Sequence, residues 1–221
     1  MPNVFQSAAK RIAADSNIVS RNSSLSDLRA LARFEEQTTE FGSANYITSV
    51  RSRSAKFTEI VFKPTKEHER ILSEVVRYLE NRAQRDGSQN TELVTIDRIM
   101  CLRSGYQTPI RFFVTKRYAR LAYMWGKMLF KPDKPVTRPA FTIIDVPEWP
   151  ERKILVDPNS FTTFILGSDY CGEVKKAGLR MMMYLHKTRR GGLGLHAGSK
   201  VLRVRDAKTD RLVTKGMLLF G

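Results

Sequence analysis

The chain has 221 residues, enough for one sizeable core, with 42% hydrophobic and 27% charged residues, the balance of an ordinary water-soluble fold. No run of about 18 apolar residues occurs, and the N-terminal MPNVFQSAAKRIAADSN lacks an apolar core before a small-residue cleavage site. Neither a membrane-spanning helix nor a secretory signal is therefore expected. The net charge of +16 is uneven: residues 101–221 carry +14 of it. Such a field favours nucleic acid, an acidic membrane or small multi-anionic metabolites as partners, unless an acidic part elsewhere in the protein balances it.

The first twenty residues are polar and weakly patterned. Cap-type residues Asn22, Ser23 and Ser24 then precede Leu25, Leu28, Leu31 and Phe34, which predicts an amphipathic helix ending near Gly42. YITSVRSRSAKFTEIVF (46–62) is β-branched and aromatic and predicts strands interrupted by a basic turn. Pro64 and Thr65 introduce a helix with Ile71, Leu72, Val75, Val76 and Leu79 on one face, stopped by Gly87. LVTIDRIMCL (93–102) and PIRFFVT (109–115) read as strands around a Ser-Gly turn. Lys116 to Phe130 reads as a helix burying Tyr118, Leu121, Ala122, Trp125 and Leu129. After the Pro-rich KPDKPVTRP come strands FTIIDV, KILV and FTTFILG, then a helix from Cys171 to Lys187 whose Met181–Met183 run fits core filling. KVLRVRDA and RLVTKGMLLF flank a KTD turn as a hairpin. Strands and helices mix without strict alternation, so a mixed-sheet α/β fold is expected.

Three clusters carry chemistry. Arg51-Ser52-Arg53-Ser54-Ala55-Lys56-Phe57 offers guanidinium forks suited to carboxylates, or a solvated basic turn. In GSDYCGEVKKAGLR (167–180) a strand runs into a helix N-terminus, which has free N–H groups and the positive dipole end. Tyr170 stands at that entrance, and Lys175 and Lys176 follow one turn in, adjacent and so pointing to different sides. In GLGLHAGSK (192–200), His196 is one of three histidines and is a possible metal or phosphate contact. The two cysteines, Cys101 and Cys171, lack disulfide-framework number and metal-finger spacing, so reduced thiols in a cytoplasmic protein are expected.

The order and spacing of Tyr170-x-Gly172-Glu173-x-Lys175-Lys176, the Met-rich helix through Tyr184-Leu185, Leu195-His196 and Leu219-Phe220-Gly221 resemble the ATP-dependent phosphoenolpyruvate carboxykinase family. Arg51-Ser52-x-x-x-Lys56-Phe57 resembles an upstream segment of the same family. The resemblance spans residues 46–221, the expected oxaloacetate-binding N-terminal domain, with 1–45 as an N-terminal extension. It implies that Arg51 and Tyr170 hold the carboxylates of oxaloacetate, with Arg53 as the alternative to Arg51. It implies that Lys176 contacts substrate and, with His196, ligates Mn2+ or Mg2+. His196 would also lie near the γ-phosphate of ATP, Lys175 would support the anionic cluster, and Gly221 would be the first glycine of the phosphate loop. The implied activity is oxaloacetate and ATP to phosphoenolpyruvate, ADP and CO2 in gluconeogenesis, in a cytoplasmic protein monomeric at full length. Because the family's phosphate-loop lysine lies beyond Gly221, the 221 residues alone are expected to be inactive. The rival readings are a basic nucleic-acid-binding module, on the strength of the charge and the interleaved Phe112, Tyr118, Tyr123 and Trp125, and a non-catalytic shortened homologue.

Overall fold

The computed structural model describes residues 3–14, 18–50, 54–80 and 92–220. Arg51, Arg53, Gly87 and Gly221 lie outside the described residues. The chain divides into two compact units, Met1–Met181 and Met182–Gly221.

In chain order the first unit contains α1 (Val4–Ala14), β1 (Ile18–Ser20), α2 (Leu25–Ala32), β2 (Gln37–Thr38), β3 (Ala44–Asn45), β4 (Thr58–Ile60), α3 (Lys66–Glu80), β5 (Leu93–Met100), β6 (Thr108–Thr115), α4 (Ala119–Met128), β7 (Phe141–Val146), β8 (Lys153–Asp157), β9 (Thr162–Leu166) and the start of α5 (Cys171–Arg189). The remainder of α5 leads to β10 (Gly198–Arg205) and β11 (Leu212–Leu219). Seven strands form one sheet in the order β1-β5-β6-β7-β9-β8-β4. Pairing is parallel at β1–β5, β6–β7, β7–β9 and β4–β8, and antiparallel at β5–β6 and β8–β9. The mixed α/β fold expected from the sequence is the fold observed.

The pleat sorts side chains between two helical layers. Phe113, Ile144 and Phe164 join Phe5 and Ile12 of α1 and Ile71, Leu72, Val75, Val76 and Leu79 of α3 in one cluster. The neighbouring Phe112 turns to the other face and meets Trp125 of α4 at 5.3 Å between ring centroids. The expected apolar faces of α3 and α4 are thus the faces buried. Tyr118 and Leu129, at the ends of the α4 stripe, are only half-buried. The four interleaved aromatics offer no stacking platform for nucleic-acid bases, because Phe112, Tyr123 and Trp125 are buried and Tyr118 is half-buried.

Three expectations need correction. The first residues are not unpatterned, since α1 buries Phe5, Ala8, Ala9 and Ile12 in the core and β1 extends the sheet. The helix expected to reach Gly42 stops at Ala32, after Ser24 caps it by accepting from the Asp27 amide. A 3-10 turn over Arg33–Glu35 follows, and Glu36 is extended and salt-bridged back to Arg29 at 2.6 Å. Finally, residues 46–50 are not strand. The amides of Ser49 and Val50 are spent on a side-chain carboxylate rather than on a neighbouring strand.

In the second unit β10 and β11 pair antiparallel in unbroken register from Gly198 opposite Leu219 to Arg205 opposite Leu212, the hairpin expected around the KTD turn.

Candidate functional site

The site is built where β9 hands over to α5. Gly167 follows β9 with φ +64, and a Cβ there would lie 2.8 Å from the Glu151 carbonyl oxygen and 2.9 Å from that of Trp149. Only glycine lets the chain turn under that loop. The next residues, Ser168 and Asp169, are buried, and Tyr170 emerges half-exposed at the helix start. The Tyr170 carbonyl accepts the Glu173 amide at 2.9 Å, closing the first turn.

The spacing of the Tyr-x-Gly-Glu-x-Lys-Lys motif has a local physical reason. The Tyr170 ring folds back over Gly172, where a Cβ would sit 2.3 Å from the ring's Cζ. Lys176 rises from the next turn, its Nζ 5.4 Å from the centroid of the same ring, a cation–π contact. That ammonium is also 3.7 Å from Oε2 of Glu173. Glu173 is fully buried, and its other oxygen accepts from Arg180 Nη2 at 2.9 Å. A carboxylate in the first turn suits the helix dipole, and two cations offset its desolvation. Lys175 is exposed, and its charge partly offsets the burial and the Asp145 carboxyl that push the Cys171 thiol up to about 11. The two lysines therefore face different sides, as their adjacency requires.

Behind Tyr170, Asp169 gathers four donors. Its Oδ1 accepts from the Thr48 hydroxyl at 2.8 Å and the Val50 amide at 2.9 Å. Its Oδ2 accepts from the Ser49 amide and from Arg120 Nη2, both at 2.7 Å. Burial pushes the Asp169 carboxyl up, but the Ser49 amide, Thr48 hydroxyl and Val50 amide together outweigh it and hold the group below its ordinary range. Arg120, on buried α4, is shared with Glu35 at 2.6 Å. The segment that leads into Arg51 is thus tied to the loop that carries Tyr170. Close by, Asp145 is wholly buried at the end of β7 with no hydrogen bond to either oxygen. Burial, then the neighbouring carboxylates of Glu148, Asp169 and Glu173, drive its pKa well upward.

Of the residues nominated from the sequence, Tyr170, Lys175 and Lys176 share one helix start, and Tyr170 and Lys176 touch. Arg51 and Gly221 lie outside the described residues. His196 is exposed and belongs to the second unit, in the segment before β10. Among the described residues no three His, Cys, Asp or Glu side chains are grouped to hold a metal ion. Sequence reasoning missed Asp169, Arg120 and Asp145. One signal was available: an aspartate inside the apolar run FTIIDV marks a buried polar group. Nothing in the sequence links Asp169 to residues 48–50.

Comparison with known proteins adds two findings. The family described as Phosphoenolpyruvate carboxykinase matches this chain over residues 17–221. A Phosphoenolpyruvate carboxykinase (ATP) from Aeropyrum pernix is 39% identical over 122 residues, which is 55% of this chain and 24% of that protein. The chain thus matches about a quarter of that relative's length. With nearly all of its sequence matched, and with the helix-start motif built as described, the chain belongs to the phosphoenolpyruvate carboxykinase family.

Proposed function

We propose that this chain provides the oxaloacetate and metal-binding part of an ATP-dependent phosphoenolpyruvate carboxykinase. The observation that carries the reading is the contact of Tyr170 with Lys176 over Gly172 at the positive end of α5. A phenol donor and an ammonium converge there, beside a segment anchored by Asp169 and continuing into Arg51. In this reading Arg51 and Tyr170 grip the two carboxylates of oxaloacetate and align the bond that breaks. Negative charge then develops on the enolate oxygen, and the helix N-terminus stabilises it as it forms. The adjacent cation Lys175 raises the local positive field.

The donor set suits a borderline or hard dication. The Lys176 ammonium is about one-third exposed, and the His196 ring is exposed, so each nitrogen is accessible to an ion once deprotonated. Lys176 and His196 would hold Mn2+ or Mg2+, which would act as a Lewis acid toward the enolate and phosphoryl oxygens. ATP would donate its γ-phosphoryl to the enolate, with Gly221 opening the loop that cradles it. The cytoplasmic, gluconeogenic setting belongs to the same proposal.

The test is calorimetry of the 221-residue chain with oxalate, a planar dianion resembling the enolate, with and without Mn2+. Arg51→Ala and Tyr170→Ala should each weaken oxalate, and Lys176→Ala and His196→Ala should each weaken Mn2+. Equal affinities across wild type and variants would sink the reading.

A further inference from the structure

A cleft of about 610 Å3 opens between α1 and the sheet, lined by the starts of β7 and β9. Tyr170 follows the end of β9, and β7 and β9 run parallel, so the cleft lies at the opposite end of these strands from the helix-start site. Its lining includes three cations, Lys10, Arg111 and Arg138, and, among the described residues, no carboxylate. Arg111 is locked in place. Its Nε and Nη2 bind both oxygens of the buried Asp97 at 2.7 and 2.9 Å, and Nη2 also reaches the Val136 carbonyl. Among the described residues its Nη1 has no hydrogen-bond partner. Among the described residues Lys10 and Arg138 have no ion-pair partner. Two cations that line one concavity with no ion-pair partner among the described residues favour an anion there.

The remaining wall narrows the ligand class. Thr137 and Thr142 present hydroxyls with no partner among the described residues, and Gln6 adds an amide. Phe113, Ala9 and Ala13 add apolar surface. The cavity falls in the size range of small-molecule sites, which pair an apolar lining with a few convergent polar groups. We propose that this cleft binds a small hydroxylated organic anion, its phosphate or carboxylate groups taken by Lys10, Arg138 and Nη1 of Arg111. Its hydroxyls would bond the threonines and Gln6. The proposal is independent of the helix-start site.

The test is an NMR and calorimetric titration of the 221-residue chain with glycerol 3-phosphate and with citrate, up to about 10 mM. The expected result is salt-sensitive binding of at least one, with amide shifts at Ala9, Ala13 and Thr142. Preference for glycerol 3-phosphate assigns the cleft to phosphates, and preference for citrate assigns it to carboxylates. Lys10→Ala combined with Arg138→Ala should weaken binding by about tenfold or more, while Arg138→Lys retains most of it. Both side chains are exposed, so these variants are expected to fold, and an unchanged melting curve verifies it. No binding of either probe, shifts confined to Tyr170–Lys176, or affinity untouched by the double substitution would each overturn the proposal.

Discussion

Replacing Asp169 by asparagine removes one charge and turns one acceptor oxygen into an NH2 group at a place where every neighbour is a donor. If the amide nitrogen faces Thr48 and Val50, the Thr48 hydroxyl rotates to accept, but the Val50 N–H is orphaned. A half-buried orphaned donor costs about 1–2 kcal/mol. Arg120 then keeps a neutral acceptor in place of a carboxylate at 2.7 Å, and it is only 3% exposed. Breaking a buried ion pair outright costs about 3–5 kcal/mol, and the retained oxygen and Glu35 recover part of that. If the NH2 group faces Ser49 and Arg120 instead, the loss is larger. A total of about 3 kcal/mol follows, or a fall in Tm of about 6–12 °C at the few degrees per kcal/mol typical of this size. Because the folded carboxyl titrates below its unfolded range, its contribution is fully present above the unfolded pKa. It is lost as pH falls through the folded pKa. The gap between wild type and D169N should therefore narrow in acid. The assays are thermal melts from pH 3 to pH 7 and hydrogen exchange read at Ser49 and Val50. A fall in Tm of less than about 3 °C at pH 7, with both amides still protected, would show that Asp169 does not organise residues 48–50.

Two further substitutions probe the same region. Because burial raises the folded pKa of Asp145, its contribution to stability is fully present below the unfolded pKa and is lost as pH rises through the folded pKa. Asparagine has nearly the same shape and does not titrate, so D145N should match wild type near pH 4 and melt higher at pH 8; equal or lower melting at pH 8 would show that burial does not penalise the carboxylate there. G172A adds a methyl 2.3 Å from Tyr170 Cζ and 2.5 Å from its Oη, which must displace the ring, while alanine favours the helix by up to about 1 kcal/mol. Melting should hold or rise while oxalate affinity falls by roughly tenfold; unchanged affinity would mean that the Tyr170 pose is irrelevant to binding.

Much of the fold was legible because its signals are local. In α3 the apolar residues recur at helical spacing and are the ones buried. The runs in β5, β6, β7 and β9 are β-branched and aromatic and end at turn residues. α1 escaped notice because half of its buried face is Ala8 and Ala9, which carry little hydrophobic signal yet allow close packing. Residues 46–50 looked like strand because Tyr46, Ile47, Thr48 and Val50 favour extended backbone, and no local rule shows that their amides go to a carboxylate some 120 residues away. The site divides similarly. Tyr170, Lys175 and Lys176 were visible as a motif at a strand-to-helix junction. Glu173 was visible in the same motif and pairs within its own helix, whereas the buried Asp169 and Arg120 are set by tertiary pairing, which spacing does not encode.

The strand order also constrains how the chain can be made. Both edges of the sheet, β1 and β4, come from the first sixty residues, yet their partners are β5 and β8. β8 leaves the ribosome roughly 90 residues after β4, about 5–20 s later at ordinary translation speeds. Until then Thr58–Ile60 has no neighbour to pair with. Strands β5, β6 and β7 pair with one another and are all made before β8. β1 can pair as soon as β5 is made, whereas β4 must wait for β8, so a ribosome stalled before residue 150 holds a sheet whose β4 edge cannot yet form.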